Sequence, residues 1–225
     1  MFRYRIIYAK VGPARYISHL DLLRVFDRSA RRAGLPVAYT QGFNPHPKMT
    51  FAAPLSVGTA GEAEYADMEL ARDIDPAVVK SALAGAMPQG LRLIEVDRTP
   101  EAAASLMALV ERATYSARAE LASPLRDEVL ARAIDSFLAR PQIIIERQGK
   151  AGAKKEYDIR PGIFAMSGCV NNDIIKIKAE LKTGSSGNVR FEELLAAFLK
   201  ESRLPLRGRL SLTRTGLLFR GAEQG

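Results

Sequence analysis

The chain has 225 residues, of which 47% are hydrophobic, with a formal net charge of +8 and a sequence isoelectric point near 9.7. This composition excludes an intrinsically disordered chain, and no apolar run approaches the roughly 20 residues that a membrane-spanning helix needs. The basic balance favours nucleic acid or another polyanion as a partner, although charge carries no information about the fold.

A single cysteine, Cys169, excludes an internal disulfide. It also excludes an iron–sulfur cluster or a Cys-rich zinc site held by this chain alone. The first residues interleave Arg3 and Arg5 with apolar side chains and lack the continuous apolar segment of a signal peptide. We therefore expect a cytoplasmic protein that has no contact with a membrane and needs no cofactor of its own.

The first half of the chain alternates strand and helix patterns. Strand-forming residues at 4–10 are followed by Gly12 and Pro13, and a helix begins after the N-cap residue Ser18. This helix ends at about residue 33, because Gly34 provides a C-terminal stop. Further strands are predicted at 36–41, 49–58, 63–70 and 91–98, with a second helix at 75–87.

The second half repeats this order after a linker at 99–112. Strands are predicted at 113–121, 142–148, 157–164, 173–181 and 209–218, and helices at 127–139 and 191–200. Each half follows approximately the order β-α-β-β-α-β, which is the ferredoxin-like, split β-α-β topology. We predict an α+β fold of two tandem ferredoxin-like units, residues 1–98 and 113–225, with antiparallel sheets and helices on one face.

The first predicted helix is amphipathic, and its polar face carries an arginine ridge. The ridge consists of Arg24, Arg28, Arg31 and Arg32, and Arg15 lies in the same basic segment just before the helix. Arginine makes bidentate contacts to phosphates and carboxylates, so the ridge is a candidate anion-binding surface. The alternative is a solvated helix face on which Asp21 and Asp27 pair with some of these arginines.

The sequence QGFNPHPKM, residues 41–49, forms a loop, because Gly42 permits positive φ and two prolines restrict the backbone. In this loop Phe43 is placed to stack on a base or a ligand ring and Lys48 to pair with a phosphate, and Asn44 is a further candidate binding residue. Alternatively, Phe43 fills the core between helix and sheet.

His19 and His46 are the only histidines of the chain. They are candidates for a general acid and base acting on RNA, because the ordinary pKa of histidine lies near physiological pH. With Asp21 they also match the composition of a 2-His-1-carboxylate metal site, although no ligand spacing demands one, and we predict no metal. The competing interpretation is that both histidines hydrogen-bond the backbone and fix the loop.

The second half carries a basic segment, RQGKAGAKK at residues 147–155, which is either a polyanion contact or a soluble turn. Asp158 and Arg160 follow it and alternate to one face of a strand, where they form an ion pair or a polar contact across the two domains. Residues 183–188 lack the lysine of a phosphate-binding loop and are predicted to form a mobile turn. No GxSxG, HExxH or GxGxxG motif supports a hydrolase, a zinc protease or a dinucleotide-binding protein.

Three segments carry a family resemblance: residues 12–58, residues 64–70 (EYADMEL) and residues 154–161 (KKEYDIRP). Together they closely resemble the radical SAM-linked (radical SAM-associated) protein family of unknown function. Members of that family occur beside a radical SAM protein or as a C-terminal extension of one, so the resemblance implies a radical SAM enzyme as partner. This chain lacks the three closely spaced cysteines that bind such an enzyme's cluster, so the resemblance implies an accessory role.

These observations favour an accessory, non-catalytic adapter that binds RNA or another substrate and works with a radical SAM enzyme. Two alternatives stay open: a metal-independent RNA-processing enzyme using His19 and His46, and a protein-interaction module that docks on an acidic partner. The sequence leaves the oligomeric state open. The candidate anion-binding residues are Arg15, Arg24, Arg28, Arg31, Phe43, Asn44, Lys48 and Arg160.

Overall fold

The computed structural model describes residues 1–100, 103–148, 154–185 and 187–221, which form a mixed α+β fold with mostly antiparallel strands. The strands are β1 Phe2–Lys10, β2 Met49–Phe51, β3 Ala60–Leu70, β4 Leu91–Thr99, β5 Val110–Leu121, β6 Ile144–Gln148, β7 Lys154–Asp158, β8 Ile163–Asn171, β9 Ile174–Lys182 and β10 Leu206–Phe219. The helices are α1 His19–Arg32, α2 Pro76–Ala86, α3 Leu106–Leu109, α4 Asp127–Leu138 and α5 Phe191–Ser202. Within these described ranges, no helix combines the length and apolar character needed to span a membrane.

The chain divides into two compact units. The first consists of Met1–Val110 and Arg214–Gly225, and the second of Glu111–Thr213. The sequence-based domains, 1–98 and 113–225, assign the last segment to the second domain instead, and that division stays a prediction.

The first unit is built on a sheet with the order β4-β1-β3-β10, and β2 also pairs with β3. β1 pairs antiparallel with both β3 and β4. Its alternate residues Tyr4, Ile6 and Tyr8 point into a core that also contains Phe26 of α1 and Leu83 of α2. The period-2 alternation of the strand and the 3.6-residue periodicity of the helices therefore meet at the same core.

Helix α1 forms as the sequence predicts. The Asp21 N–H donates to Ser18 Oγ at 3.2 Å, and the Ser18 hydroxyl donates to an Asp21 carboxylate oxygen at 2.7 Å. This reciprocal cap satisfies an N–H group that has no partner within the helix. The helix ends at Arg32, and Gly34 beyond it adopts a φ of +70°, which favours glycine.

Two predicted strands of the first unit were too long. Residues 36–41 form only isolated bridges, Val37 with Leu70 and Tyr39 with Pro47, and β2 ends at Phe51 although a strand was predicted to residue 58. Pro54 has no N–H group to donate to a ladder, which prevents β2 from continuing to residue 58.

The second unit has the sheet order β10-β5-β9-β8. β5 pairs antiparallel with β9, and β8 pairs antiparallel with β9. The buried residues Tyr115 of β5 and Phe191 of α5 stack at 5.0 Å, and Phe137 of α4 contacts Phe198 of α5 edge-on at 5.3 Å. Both helices therefore cover the same face of the sheet.

The strand predicted at 157–164 was wrong. Strand β7 ends at Asp158, a 3-10 helix follows at Arg160–Gly162, and β8 then runs from Ile163 to Asn171. Strand β8 was not predicted from the sequence, because it contains Gly168 and glycine is disfavoured in strands. Glycine is needed there, since an added Cβ would lie 2.8 Å from a methyl carbon of Leu130 on α4.

Strands β6 and β7 form a separate two-stranded sheet. The basic segment predicted at residues 147–155 joins these strands, and its residues 149–153 lie outside the described part of the chain. The turn predicted at 183–188 is described except for residue 186.

Candidate functional site

The arginine ridge on α1 is partly neutralised by the helix itself. Arg24 Nη1 lies 2.9 Å from Asp21 Oδ1, and Arg31 forms an ion pair with Asp27. These spacings of three and four residues place oppositely charged side chains on the same face of a helix. For these two arginines the geometry agrees with the interpretation of a solvated, internally paired face.

The other two ridge arginines differ from each other. Arg32 Nη2 donates to the carbonyl oxygen of Ala86, the last residue of α2, at 2.6 Å. Arg28 is exposed, and the described part of the chain offers its guanidinium no hydrogen bond or ion pair. Arg28 is therefore the ridge residue whose charge remains available to a partner.

Asp27 connects the helix to the segment that follows it. Its buried carboxylate accepts hydrogen bonds from the Arg31 guanidinium and from the Tyr39 hydroxyl. Burial raises the pKa of Tyr39, and the hydrogen bond and charge of Asp27 raise it further. Tyr39 also bridges to Pro47, so Asp27 helps to fix the chain on both sides of the loop between them.

The Phe43 loop, residues 41–46, projects from these fixed ends. The Thr40 N–H donates to the His46 carbonyl oxygen at 2.9 Å, and the His46 N–H donates to Thr40 Oγ1 at 3.0 Å. Gly42 has a φ of +125°, which favours glycine. Phe43 has a relative exposure of 106%, so the alternative in which it fills the core is wrong.

A cleft of about 390 Å³ lies beside the end of this loop in the first unit. Its charged lining residues are Arg3, Lys48, Asp67 and Glu69. Lys48 Nζ lies 3.4 Å from a carboxylate oxygen of Glu69, so a phosphate would have to compete with an internal acid. With two cations and two carboxylates, this cleft carries no excess positive charge.

The two histidines are held in different ways. The His19 ring contacts Phe51 edge-on, with 5.2 Å between ring centroids, whereas His46 is fixed through its backbone. Neither imidazole hydrogen-bonds within the described ranges, although catalytic histidines are usually oriented by such a bond. The RNA-processing hypothesis stays a prediction. No group of three or more His, Cys, Asp or Glu among the described residues is arranged to hold a metal ion.

Arg160 contacts two carbonyl oxygens of the second unit. Its Nε donates to Leu138 at the end of α4 at 2.9 Å, and its Nη1 donates to Ile163 at 3.2 Å. Asp158 Oδ1 accepts the N–H groups of Ile143 and Arg160 at 2.9 and 3.0 Å. These contacts assign Arg160 a part in satisfying a helix C-terminus, which the sequence did not predict.

Arg15 also has an internal partner. Its Nη2 donates to the Tyr16 hydroxyl at 2.8 Å, and its guanidinium lies 4.9 Å from the centre of that ring. A cation over an aromatic face is stabilised by the ring quadrupole. Arg15 is therefore only partly available to an anionic ligand.

The first unit contains a buried ion pair that was not predicted from the sequence. Arg214 of β10 and Glu64 of β3 are exposed by only 1% and 3%, and the arginine Nε lies 2.9 Å from a carboxylate oxygen. The Arg214 guanidinium also donates to the Ala53 carbonyl oxygen at 2.9 Å. With 150 residues between the two charges, no local pattern indicates the pair.

A cationic patch in the second unit was also not predicted from the sequence. This patch consists of Arg118 on β5, Lys176 and Lys178 on β9, and Arg207 and Arg209 on β10. The signal was present in β5 and β9, where cationic residues alternate with buried apolar ones such as Ala117 and Ile177. Strand pairing, which the sequence does not show, brings these residues onto one face.

Comparison with known proteins shows a family and a fold. A family model described as DUF2344, uncharacterized protein conserved in bacteria, matches residues 3–191. A search of curated proteins gives no match.

Among solved structures, a chain in a crystal structure of a Cbf5-Nop10-Gar1 complex is similar, with a TM-score of 0.50 and 11% sequence identity. The similarity covers 94% of this chain and 48% of that one, so the present chain spans about half the length of its structural relative. An unknown protein from Galdieria sulphuraria has a TM-score of 0.27 and 12% identity, over 96% of this chain and 99% of that one. At such low identity, the first likeness supports the α+β fold alone.

Proposed function

The chain belongs to the DUF2344 family of uncharacterized bacterial proteins, and we propose that it is an accessory adapter without catalytic activity of its own. It binds RNA or another substrate in the cytoplasm and presents it to a radical SAM enzyme. Its two units are tandem ferredoxin-like domains. The strand orders β4-β1-β3 and β10-β5-β9-β8, with β2 paired to β3, support this finer fold assignment.

The observation that carries the adapter proposal is the Phe43 loop. Two hydrogen bonds between Thr40 and His46 join the ends of the loop, and Pro45 and Pro47 limit its conformations. A protein that covers the fully exposed ring of Phe43 gains about 2–3 kcal/mol from apolar burial. Little of this gain is lost to ordering, because the loop is already held in place.

The nature of the partner follows from the resemblance to radical SAM-linked proteins. The chain has a single cysteine, Cys169, so a cluster held by three closely spaced thiolates belongs to the partner. The adapter supplies binding surface, and the partner supplies the radical chemistry.

The proposal is tested by measuring binding to radical SAM enzymes of the same organism, with biolayer interferometry under anaerobic conditions. We expect Phe43→Ala to raise the dissociation constant by at least about tenfold. Each 1.4 kcal/mol of binding free energy that is lost corresponds to a factor of ten. Val78→Ala on α2 is the matched control, because Val78 is also an exposed apolar residue of the first unit and should leave binding unchanged.

Two results would overturn the proposal. One is the absence of any association between the two proteins at micromolar concentrations. The other is wild-type affinity for Phe43→Ala, which would remove the loop from the interface.

A further inference from the structure

The cationic patch of the second unit contains two like charges at opposed positions, which lower the stability of the protein when no ligand is bound. Arg118 on β5 lies directly opposite Lys176 on the neighbouring strand β9. Like charges at directly opposed positions of an antiparallel pair repel each other and destabilise the sheet. A ligand of opposite charge removes this repulsion when it binds.

The described part of the chain does not neutralise these charges. It offers Arg118 and Lys176 no hydrogen bond or ion pair to a side chain. Glu180, on the same strand as Lys176, is already bound by Arg112 at 2.8 Å. The patch therefore differs from α1, where acidic residues of the same helix face pair with the arginines.

Arg118 also lines a cleft of about 310 Å³. Arg207 and Arg209 line the same cleft, and both are exposed and likewise unpaired within the described ranges. Glu120 is the one acid of the lining, so three arginines and one glutamate leave a formal charge of +2. Gly208, between the two arginines, adopts a φ of +73° and leaves open space where a side chain would stand.

The spacing of the cations is regular. Neighbouring strands lie about 4.8 Å apart, and residues on one face of a strand recur about every 6.8 Å. Lys176 and Lys178 extend the arginine cluster along β9 at this second spacing. An evenly charged, flexible polyanion can follow such an array, whereas acidic side chains of a folded protein are spaced irregularly.

We propose that the cationic patch binds the phosphate backbone of single-stranded RNA. This inference rests on the RNA-binding arm of the proposed function and gives that arm a location in the second unit. β9 has no aromatic residue, and the aromatic residue of β5, Tyr115, is buried against Phe191 on the helix-covered face. The two strands therefore provide phosphate contacts without base stacking, and binding is independent of base sequence.

The test is fluorescence anisotropy with a labelled oligouridylate of about 16 nucleotides, measured at several salt concentrations. Each phosphate contact to a single strand contributes about −0.7 to the slope of log affinity against log salt, so five cations predict about −3.5. Arg118→Gln combined with Arg209→Gln should weaken binding by at least about tenfold and reduce the magnitude of the slope by about 1.4.

Two further variants separate a specific patch from general charge. Arg132→Gln removes one positive charge from α4, where Arg132 donates to the Glu128 carbonyl oxygen, and is the control for either single arginine substitution; it should change affinity by less than about twofold. Glu120→Gln removes the acid from the cleft and should strengthen binding by about threefold. A gain of affinity cannot result from unfolding, so Glu120→Gln remains informative if the arginine variants are unstable.

The outcomes also distinguish this inference from the adapter proposal. RNA binding that is equal in the wild type and the double arginine variant places the RNA elsewhere and overturns the inference. Absence of RNA binding, with polyglutamate bound in a manner that depends on Arg118 and Arg209, makes the patch a docking site for an acidic protein and also overturns it. Neither result affects the Phe43-dependent association with the radical SAM enzyme, which is measured without RNA.

Discussion

The arginines of α1 and those of the cationic patch have opposite relations to their surroundings. On α1, Arg24 and Arg31 each lie beside an aspartate of the same helix face. In the patch, Arg118 faces Lys176 across two strands. A cluster of arginines in the sequence therefore does not show which arginines are free to bind a ligand.

The reason lies in the two kinds of secondary structure. A helix places residues three and four positions apart together, so Asp21 and Asp27 are found near their arginines by counting along the sequence. A sheet places residues of different strands together, so the neighbour of Arg118 is set by the register of β5 with β9. The more basic-looking segment is thus the more neutralised one.

The largest effect on the free energy of unfolding is expected for an arginine that is buried and paired inside the protein. Arg214→Leu leaves the buried carboxylate of Glu64 without its guanidinium partner, and we expect the free energy of unfolding to fall by about 3–5 kcal/mol. Urea denaturation of the purified protein measures this change. Replacing both Arg214 and Glu64 by leucine should recover much of the loss, because no unpaired charge is then buried.

Arg214 is the extreme case of an arginine committed to internal contacts. A loss below about 1 kcal/mol for Arg214→Leu would mean that water or another residue compensates Glu64, and the pair would not be structural.

An intermediate effect is expected at Asp27, which supports both α1 and the segment leading to the Phe43 loop. Asp27→Asn removes the charge that binds Arg31 and Tyr39, and should lower the free energy of unfolding by about 1–3 kcal/mol. It should also lower the pKa of Tyr39 towards its ordinary value of 10.0, because burial alone then raises it. Ultraviolet absorbance titration of the tyrosines measures the pKa.

Arg31→Gln is the control for this change. Arg31 is mostly exposed, so its loss should cost only about 0.5 kcal/mol and leave the Tyr39 hydrogen bond in place. Equal effects of the two variants would show that Asp27 acts only as the partner of Arg31.

The smallest expected change in the free energy of unfolding concerns single exposed arginines, and there the sign of the change is informative. Without RNA, Arg118→Gln should raise the free energy of unfolding by about 0.2–1 kcal/mol, because it removes the repulsion from Lys176. Arg24→Gln should lower it slightly, because it removes an exposed ion pair with Asp21. Thermal denaturation of both variants in low salt gives the two signs, and a shared sign would remove the contrast between α1 and the patch.

Local patterns in the sequence determined the secondary structure closely where one residue type decides the outcome. Ser18 and Gly34 delimit α1 as predicted, because caps act over one helical turn. The loop around Phe43 was also predicted, since Gly42 permits a positive φ and Pro45 and Pro47 restrict their own backbone. The three segments that carry the family resemblance, residues 12–58, 64–70 and 154–161, all lie within the residues 3–191 that match the family model.

Which of these residues are available for binding depends on how the chain folds in three dimensions. Phe43 is fully exposed, and Arg160 donates a hydrogen bond to the C-terminal end of a helix. Arg214 pairs with Glu64, which lies 150 positions away in the sequence. Folding also brings Arg118, Lys176 and Arg209 to one face of the second unit. Such contacts depend on strand register and packing between distant segments, and these are properties of the folded chain that no short sequence window contains.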